Sequence, residues 1–311
     1  MRSAVLFLVF NRVETTAKVF EAIRQARPPK LYVAADAPRA GRNEEEQCNA
    51  VRKIATAIDW DCELYTLFQT SNKGMRGNTE EAFTWFLDAE GEGILLEDDT
   101  LPTAEFFTYC DELLERFRHD ERVACIGACN FNFPHNYPHY SYFFSKNVAT
   151  WGWGTWKRVW DKHKEFEKMQ QEVLAANNSL DGFYPDRYEN ITVRKKLKEV
   201  RQGKVNTWDF YFHMSTLMHG MMSVIPTRNM MVNLGFGGGT NTLDLNHPSA
   251  KLVHEKMELP LIHPDYMPQS RTWEDTRFYK NQKLDELMSY RELIRMIYNK
   301  TTKRLRGIKN I

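Results

Sequence analysis

The order of short apolar runs and amphipathic segments in the first 130 residues is what most constrains the fold. Runs at 4–10, 31–35, 63–68, 93–97 and 123–127 are β-rich and read as strands. Between them, segments near 15–26, 44–58, 78–89 and 104–118 read as helices. Cys48, Val51, Ile54, Ala55 and Ile58 share one helical face. Phe106, Phe107, Cys110, Leu113, Leu114 and Phe117 share another, at spacings of three and four. Near-continuous apolar strands alternating with such helices predict an α/β fold, a mostly parallel sheet with helices on both faces.

That architecture says where to look for chemistry. In open α/β sheets, ligands bind beyond the carboxyl ends of the strands. The residues there are Asn11 and Arg12, Asp36 to Arg39, Gln69 to Asn78, and Glu97 to Asp99. All four groups are polar, and they are expected to converge on one crevice.

The chain of 311 residues is 42% apolar and 27% charged, which suits a packed core. A formal net charge of +1 gives no overall field of the kind that marks a nucleic-acid partner. Cys48, Cys62, Cys110, Cys125 and Cys129 form no CxxC pair, and four of them sit in apolar runs. This usage fits a reducing compartment, so a cytoplasmic location is expected. The apolar start at 4–10 is interrupted by Asn11 and Arg12 and lacks a small-residue cleavage site, so it reads as a buried strand.

Beyond residue 130 the rhythm changes. An aromatic stretch at 131–144 leads to Trp151-Gly152-Trp153-Gly154-Thr155-Trp156 and helical patterns near 155–175, 185–202 and 208–220. A glycine-rich segment at 233–242 follows, then a proline-punctuated stretch and a helix near 282–305.

Glu97-Asp98-Asp99 closes the run 93–97. Three adjoining carboxylates at the end of a buried strand repel one another. A hard divalent cation, Mn²⁺ or Mg²⁺, relieves that repulsion and leaves coordination positions for phosphate oxygens. The ordinary alternative is a charged turn before a helix capped by Thr103.

The segment 94–107, built on these acids, resembles the acidic motif of GT-A fold nucleotide-diphospho-sugar transferases, and more narrowly a bacterial group akin to family-2-type glycosyltransferases. The likeness also takes in residues 7–12, 33–39, 151–156 and 233–237, and so spans roughly the first 245 residues. It implies a Rossmann-like nucleotide-binding half at 1–130, an acceptor half at 131–245 and a C-terminal extension at 246–311. By this resemblance Asp99 is the usual metal ligand, while Glu97 and Asp98 contact the nucleotide sugar or support the metal. Asp36 would meet the donor's base or ribose, although a turn-forming Asp before Pro38 is the plainer reading. Asn72, Gly74, Arg76 and Asn78 fall in a loop similar to the family's Asn-rich loop, with Arg76 suited to the diphosphate. Arg12 and Arg39 are further phosphate candidates, and Asn11 stands beside them. UDP is the first expectation for the nucleotide.

Trp151, Trp153 and Trp156 are candidates for a sugar-stacking platform, with one or two of them expected to be core filler. Asp209, which is similar to the family's Trp-Asp position, is the candidate base for the acceptor hydroxyl. His213, one helical turn later, is placed to orient it. An Asp in a helix's first turn is also favoured by the macrodipole alone. Relatives often carry a His near 241; this chain has Asn241, which can still offer the metal an oxygen. The resemblance implies an inverting glycosyl transfer to a saccharide or lipid-linked saccharide, in surface polysaccharide or glycolipid synthesis. The basic, partly apolar segment 289–311 suits contact with an anionic membrane face, or plain solvation. Two competing functions remain open. A sugar-nucleotide-forming nucleotidyltransferase would normally carry glycines after its first strand, where this chain has none at 11–16. A non-catalytic carbohydrate-binding protein would be expected to have lost the acidic cluster.

Overall fold

A computed structural model describes residues 1–175, 182–184, 187–204, 207–237, 245, 247–281 and 298. In chain order the elements are β1 (Val5–Val9), α1 (Val13–Ala26), β2 (Lys30–Ala35), α2 (Glu45–Ala55), β3 (Glu63–Phe68), α3 (Gly74–Glu90), β4 (Glu92–Glu97), β5 (Thr100–Pro102) and α4 (Ala104–Phe117). Then come β6 (Val123–Gly127), β7 (Tyr142–Ser145), β8 (Trp153–Trp156), α5 (Lys157–Ala175), α6 (Arg187–Arg201) and α7 (Trp208–Met218). After these lie β9 (Met222–Pro226), β10 (Met231–Asn233), a 3-10 turn (Pro248–Lys251) and α8 (Arg271–Asn281). The α/β alternation expected of the first 130 residues is present, each element within a few residues of its sequence pattern.

One eight-stranded sheet runs β3-β2-β1-β4-β8-β6-β9-β7. The first four strands are parallel, and β6 and β9 form a further parallel pair. β8 runs antiparallel between β4 and β6, and β7 closes the far edge antiparallel to β9. The chain winds from β1 outward through β2 to β3, then returns to place β4 on the other side of β1. The order therefore reverses between β1 and β4, and a crevice opens at their carboxyl ends.

Helix contacts sort into two groups. α1 packs with α2 and α4, whereas α3, α5 and α7 pack together. β1 and β6 are buried at every residue, as strands enclosed by helices on both faces must be. β3 differs from expectation: Leu64, Tyr65 and Phe68 are exposed because β3 is an edge strand with one neighbour. Cys48, Cys110, Cys125 and Cys129 are buried, Cys62 is half-buried, and all five are free thiols.

The tryptophan-glycine segment is a strand of the core. Trp153 and Trp156 on β8 are 1% and 2% exposed, so neither serves as a sugar platform. Trp153 stacks on Trp208, with ring centroids 5.7 Å apart, and meets Phe83 edge-on. Gly154 lies under α4, where a Cβ would come within 3.2 Å of Leu114. The small residue thus serves close helix–sheet packing, not room beside a sugar.

The stretch 247–281 packs back onto the sheet. Phe144 N–H donates to Pro268 O (2.7 Å), and Trp273 on α8 is fully buried against Phe143. The helix expected near 282–305 and the basic segment 289–311 fall outside the described residues, apart from Tyr298. Among the described residues no helix is long and apolar enough to cross a membrane.

Trp153→Ala is expected to cost about 3–5 kcal/mol of unfolding free energy, read from urea denaturation. Trp151→Ala, at a half-exposed ring, should cost clearly less.

Candidate active site

The crevice at the β1/β4 reversal holds a cavity of about 340 Å³, within the range of small-molecule clefts. Its wall includes Phe10, Arg12, Asp36, Arg39, Asn72, Gly74, Asn78, Glu97, Asp98, Asp99, Trp151, Trp208, Asp209, Asn233, Gly235 and Phe236. The four polar groups that follow the strands do converge here.

The centre of the cleft is an ion-pair fork. Arg12 Nη1 donates to Asp98 Oδ1 at 2.8 Å and to Asp99 Oδ2 at 2.7 Å. Asp98 Oδ2 also accepts the Phe10 N–H at 3.1 Å. Both acids are buried, whereas Glu97 is half-buried on the same rim. A tight turn holds them, with the Glu97 N–H donating to Thr100 Oγ1 and that hydroxyl donating back to Glu97 O. Among the described residues Asp99 Oδ1 and Asn78 Oδ1 are buried and have no hydrogen-bond partner. Buried oxygens in that condition are costly unless a ligand or ion meets them.

The electrostatics show the same deficit of positive charge. Burial, then Asp99, Asp98 and Asp209, raise the Glu97 carboxyl to about 8, against the pull of Arg12. Burial raises Asp98 to about 6 although Arg12 opposes it, and burial raises Asp99 as well. Arg12 keeps its charge, the attraction of Asp98 and Asp99 outweighing its own burial.

β10 reaches this cluster from more than 130 positions further along the chain. It pairs antiparallel with β5, Asn233 opposite Thr100. The Leu234 N–H donates to Asp99 O (2.7 Å), and Asn233 Oδ1 accepts the Gly235 N–H (2.7 Å). A Cβ on Gly235 would lie 2.3 Å from Asp99 Oδ2, so only glycine lets the strap close against the acid. Phe236 meets Trp151 edge-on at 6.0 Å, giving the cleft an aromatic wall. Asn233, Gly235 and Phe236 lie in a segment that was noted as glycine-rich and as part of the family resemblance, with no role given to any of the three. Trp208, noted only as the partner of Asp209 in the Trp-Asp pair, lines the cleft too.

Asp209, in the first turn of α7, opens onto the cleft. Its Oδ1 accepts from Phe210 N–H (2.8 Å) and from the Thr207 hydroxyl. Asp209 is itself exposed to the cleft; the protein packed around that opening limits its hydration and raises its carboxyl above the usual range, and the charge of Asp209 in turn lifts Glu97. Asp36 lines the cleft as well, but its carboxylate is engaged by backbone N–H groups of Ala37, Lys73 and Gly74, each at 2.9 Å. It ties the end of β2 to the start of α3. Asn72 donates to Ala37 O (2.7 Å) in the same knot. Arg39 reaches the cleft while ion-paired to Glu44.

Besides Trp153 and Trp156, three expected site residues are placed away from the cleft. Asn11 donates to Glu44 (3.1 Å) and does not line the cavity. Arg76 turns away to bind Glu80 and Glu167, so it does not face a diphosphate in the crevice. His213 bonds the Tyr184 hydroxyl through Nε2 (2.8 Å) instead of orienting Asp209; burial, with Arg277 and Lys146, lowers it to about 3 and keeps it neutral. Thr103 occupies the cap position of α4 but makes no side-chain cap bond. Asn241 lies outside the described residues.

No family model matches the chain, and the curated proteins give no match. Among solved structures it is similar to HddC from Yersinia pseudotuberculosis, at 8% identity over 50% of this chain and 78% of that one, TM-score 0.32. It is also similar to the mannosyltransferase PcManGT from Pyrobaculum calidifontis in complex with GDP-Man and Mn²⁺, at 13% identity over 70% of each chain, TM-score 0.36. A third is the 4-diphosphocytidyl-2C-methyl-D-erythritol synthase from Anaerococcus prevotii, at 7% identity over 63% of this chain and 99% of that one, TM-score 0.36. What the cleft of this chain can do follows from its own geometry.

The raised carboxyls give a testable pH dependence. The unfolded chain releases these protons near pH 4, whereas folded Asp98 and Glu97 hold them to about 6 and about 8. The folded state binds more protons in that window, so the cluster's contribution to stability falls as pH rises through it. In chelator, Tm should drop between pH 5 and 8, and Glu97→Gln should flatten the drop. An unchanged profile in the variant would count against the assignment.

Proposed function

We propose that this chain is a metal-dependent glycosyltransferase that moves a sugar from a nucleoside diphosphate donor to a hydroxyl acceptor. The observation that carries the reading is the buried, partnerless Asp99 Oδ1 beside the Arg12 fork, in a cleft that Asp209 shares. Three carboxylates facing one guanidinium leave the cluster short of positive charge. Asp99 and Asp98 are hard oxygen donors that fit Mg²⁺ or Mn²⁺. When bound there, such a dication supplies Lewis-acid neutralisation of the charge that develops on a departing diphosphate.

The chain's own residues do the rest. Arg12 adds a fixed positive charge at the cluster, and Asn78 Oδ1 is free to accept from a sugar or ribose hydroxyl. Trp151 and Phe236 give the cleft apolar faces against which a sugar ring can exclude water. Asp209 accepts the proton of the acceptor hydroxyl, and its raised carboxyl brings its basicity nearer to neutral pH. The acceptor oxygen then bonds to the anomeric carbon as the bond to the diphosphate oxygen breaks, and the diphosphate leaves with the electron pair. Attack on the face opposite the leaving group inverts the anomeric centre.

Thermal-shift measurements with UDP, GDP, CDP and dTDP, with and without Mn²⁺, test the donor site. At least one nucleotide should raise Tm only when Mn²⁺ is present, and Asp99→Asn should abolish the rise. No metal-dependent shift with any of them would sink the metal reading. Asp209→Asn should lower kcat by roughly 10²–10⁴-fold with little change in donor KM. Release of pyrophosphate from a nucleoside triphosphate and a sugar phosphate, instead of a nucleoside diphosphate from a sugar nucleotide, would move the assignment to nucleotidyl transfer.

A further inference from the structure

A second cluster of ligating side chains lies away from the cleft, where α3 packs on α5. His163 and Glu167 stand one turn apart on α5, and Glu80 faces them from α3. One ligand atom from each of the three lies within 4.8 Å of the other two. His163 is 0% exposed, and neither of its ring nitrogens has a hydrogen-bond partner. Its Nε2 points to Glu167 Oε2 at 3.8 Å. A cavity of about 510 Å³, lined by Glu80 and Glu167 together with Trp85 and Trp160, gives access from solvent.

A buried imidazole with both nitrogens unpaired is expensive, and among the described residues nothing supplies the missing partner: Trp160 and Phe212 present only ring faces and edges. Arg76 does not resolve the charge either. Its Nε bonds Glu80 Oε1 at 2.6 Å and its Nη2 bonds Glu167 Oε1 at 2.5 Å, which sets one positive charge against two carboxylates. Lys164, on the cavity wall, pairs with Asp161.

We propose that Glu80, His163 and Glu167 form a second metal site that takes a zinc-class divalent transition ion through three protein ligands. One nitrogen and two carboxylate oxygens are a ligand set such ions accept. Tetrahedral bonds of about 2.1 Å put neighbouring ligand atoms about 3.4 Å apart, and the His163–Glu167 edge, at 3.8 Å, is already near that spacing. Arg76 holds one oxygen of each carboxylate and fixes their orientation, the part an outer-sphere donor plays at metal centres. The guanidinium also lies over the Tyr211 ring on α7, 4.5 Å from its centroid. An ion here would therefore clamp α3 and α5 beside the helix that carries Asp209.

The site is independent of the donor cleft, and its test keeps the two apart. Zn²⁺ alone is titrated by calorimetry into the full chain carrying Asp99→Asn, which removes the cleft's main ligand. One equivalent should bind and raise Tm. Adding His163→Ala should weaken binding at least about 100-fold, and adding Glu167→Gln at least about tenfold. Failure of the Asp99→Asn chain to bind Zn²⁺, or unchanged affinity on adding His163→Ala, overturns the proposal. Should the His163→Ala chain not fold, the imidazole ¹⁵N signals of the wild-type chain decide. Zn²⁺ in excess should shift the His163 Nε2 resonance, and an unmoved resonance overturns the proposal.

Discussion

Arg12 sits between Asp98 and Asp99 where β1 and β4 part company, and most of the cleft leans on that contact. The two acids follow a strand enclosed on both sides, so they cannot retreat into water. A guanidinium that bonds both at once satisfies one oxygen of each and holds the loop after β1 against the turn after β4. The strap from β10 then closes over Asp99 through Leu234, and Gly235 is the residue small enough to let it. Asn78 at the start of α3 and Asp209 at the start of α7 complete the wall. Each piece is ordinary; their meeting point leaves a buried carboxylate oxygen of a cleft-lining residue without a partner among the described residues.

The two helix groups divide the labour. In the first, α1 packs against both α2 and α4, and α1 begins directly after Arg12. α3, α5 and α7 form the second, which carries the cleft residues Gly74, Asn78 and Asp209 near helix starts. The same group holds the Arg76, Glu80, His163 and Glu167 cluster. Polar groups buried between helices fix relative helix positions more sharply than apolar contacts do, because each must find its partner. The accuracy with which Asp209 faces the acidic rim therefore depends on contacts well away from the rim itself.

Much of this was legible beforehand, for local reasons. Burial on both faces makes β1, β4 and β6 near-continuous apolar runs. One-sided burial gives α2 and α4 their stripes, and an acidic triplet at a strand's end is plain to see. What escaped notice depended on long-range pairing. β5 and β10 are three residues each and exist because Asn233 lies opposite Thr100. The Trp-Gly-Trp-Gly segment read as a candidate sugar platform with some core filler, and it is the pairing of β8 between β4 and β6 that makes Trp153 and Trp156 core. Arg76 and His213 belong to the right segments for the site. Helical rotation turned Arg76 toward Glu80 and Glu167, and Tyr184 took the ring of His213.

By itself the sequence determined the strand–helix alternation of the first 130 residues, the α/β class and the concentration of charge at 97–99, because periodicity and composition act over a few residues. Only the tertiary structure decided that Arg12 meets acids 86 and 87 positions away, that Trp151 faces the cleft while Trp153 and Trp156 do not, and that Asp36 is consumed by backbone bonds. Those outcomes turn on which strands become neighbours. Strand order is set by the sum of burial over the whole sheet, and no local window of the chain contains that sum.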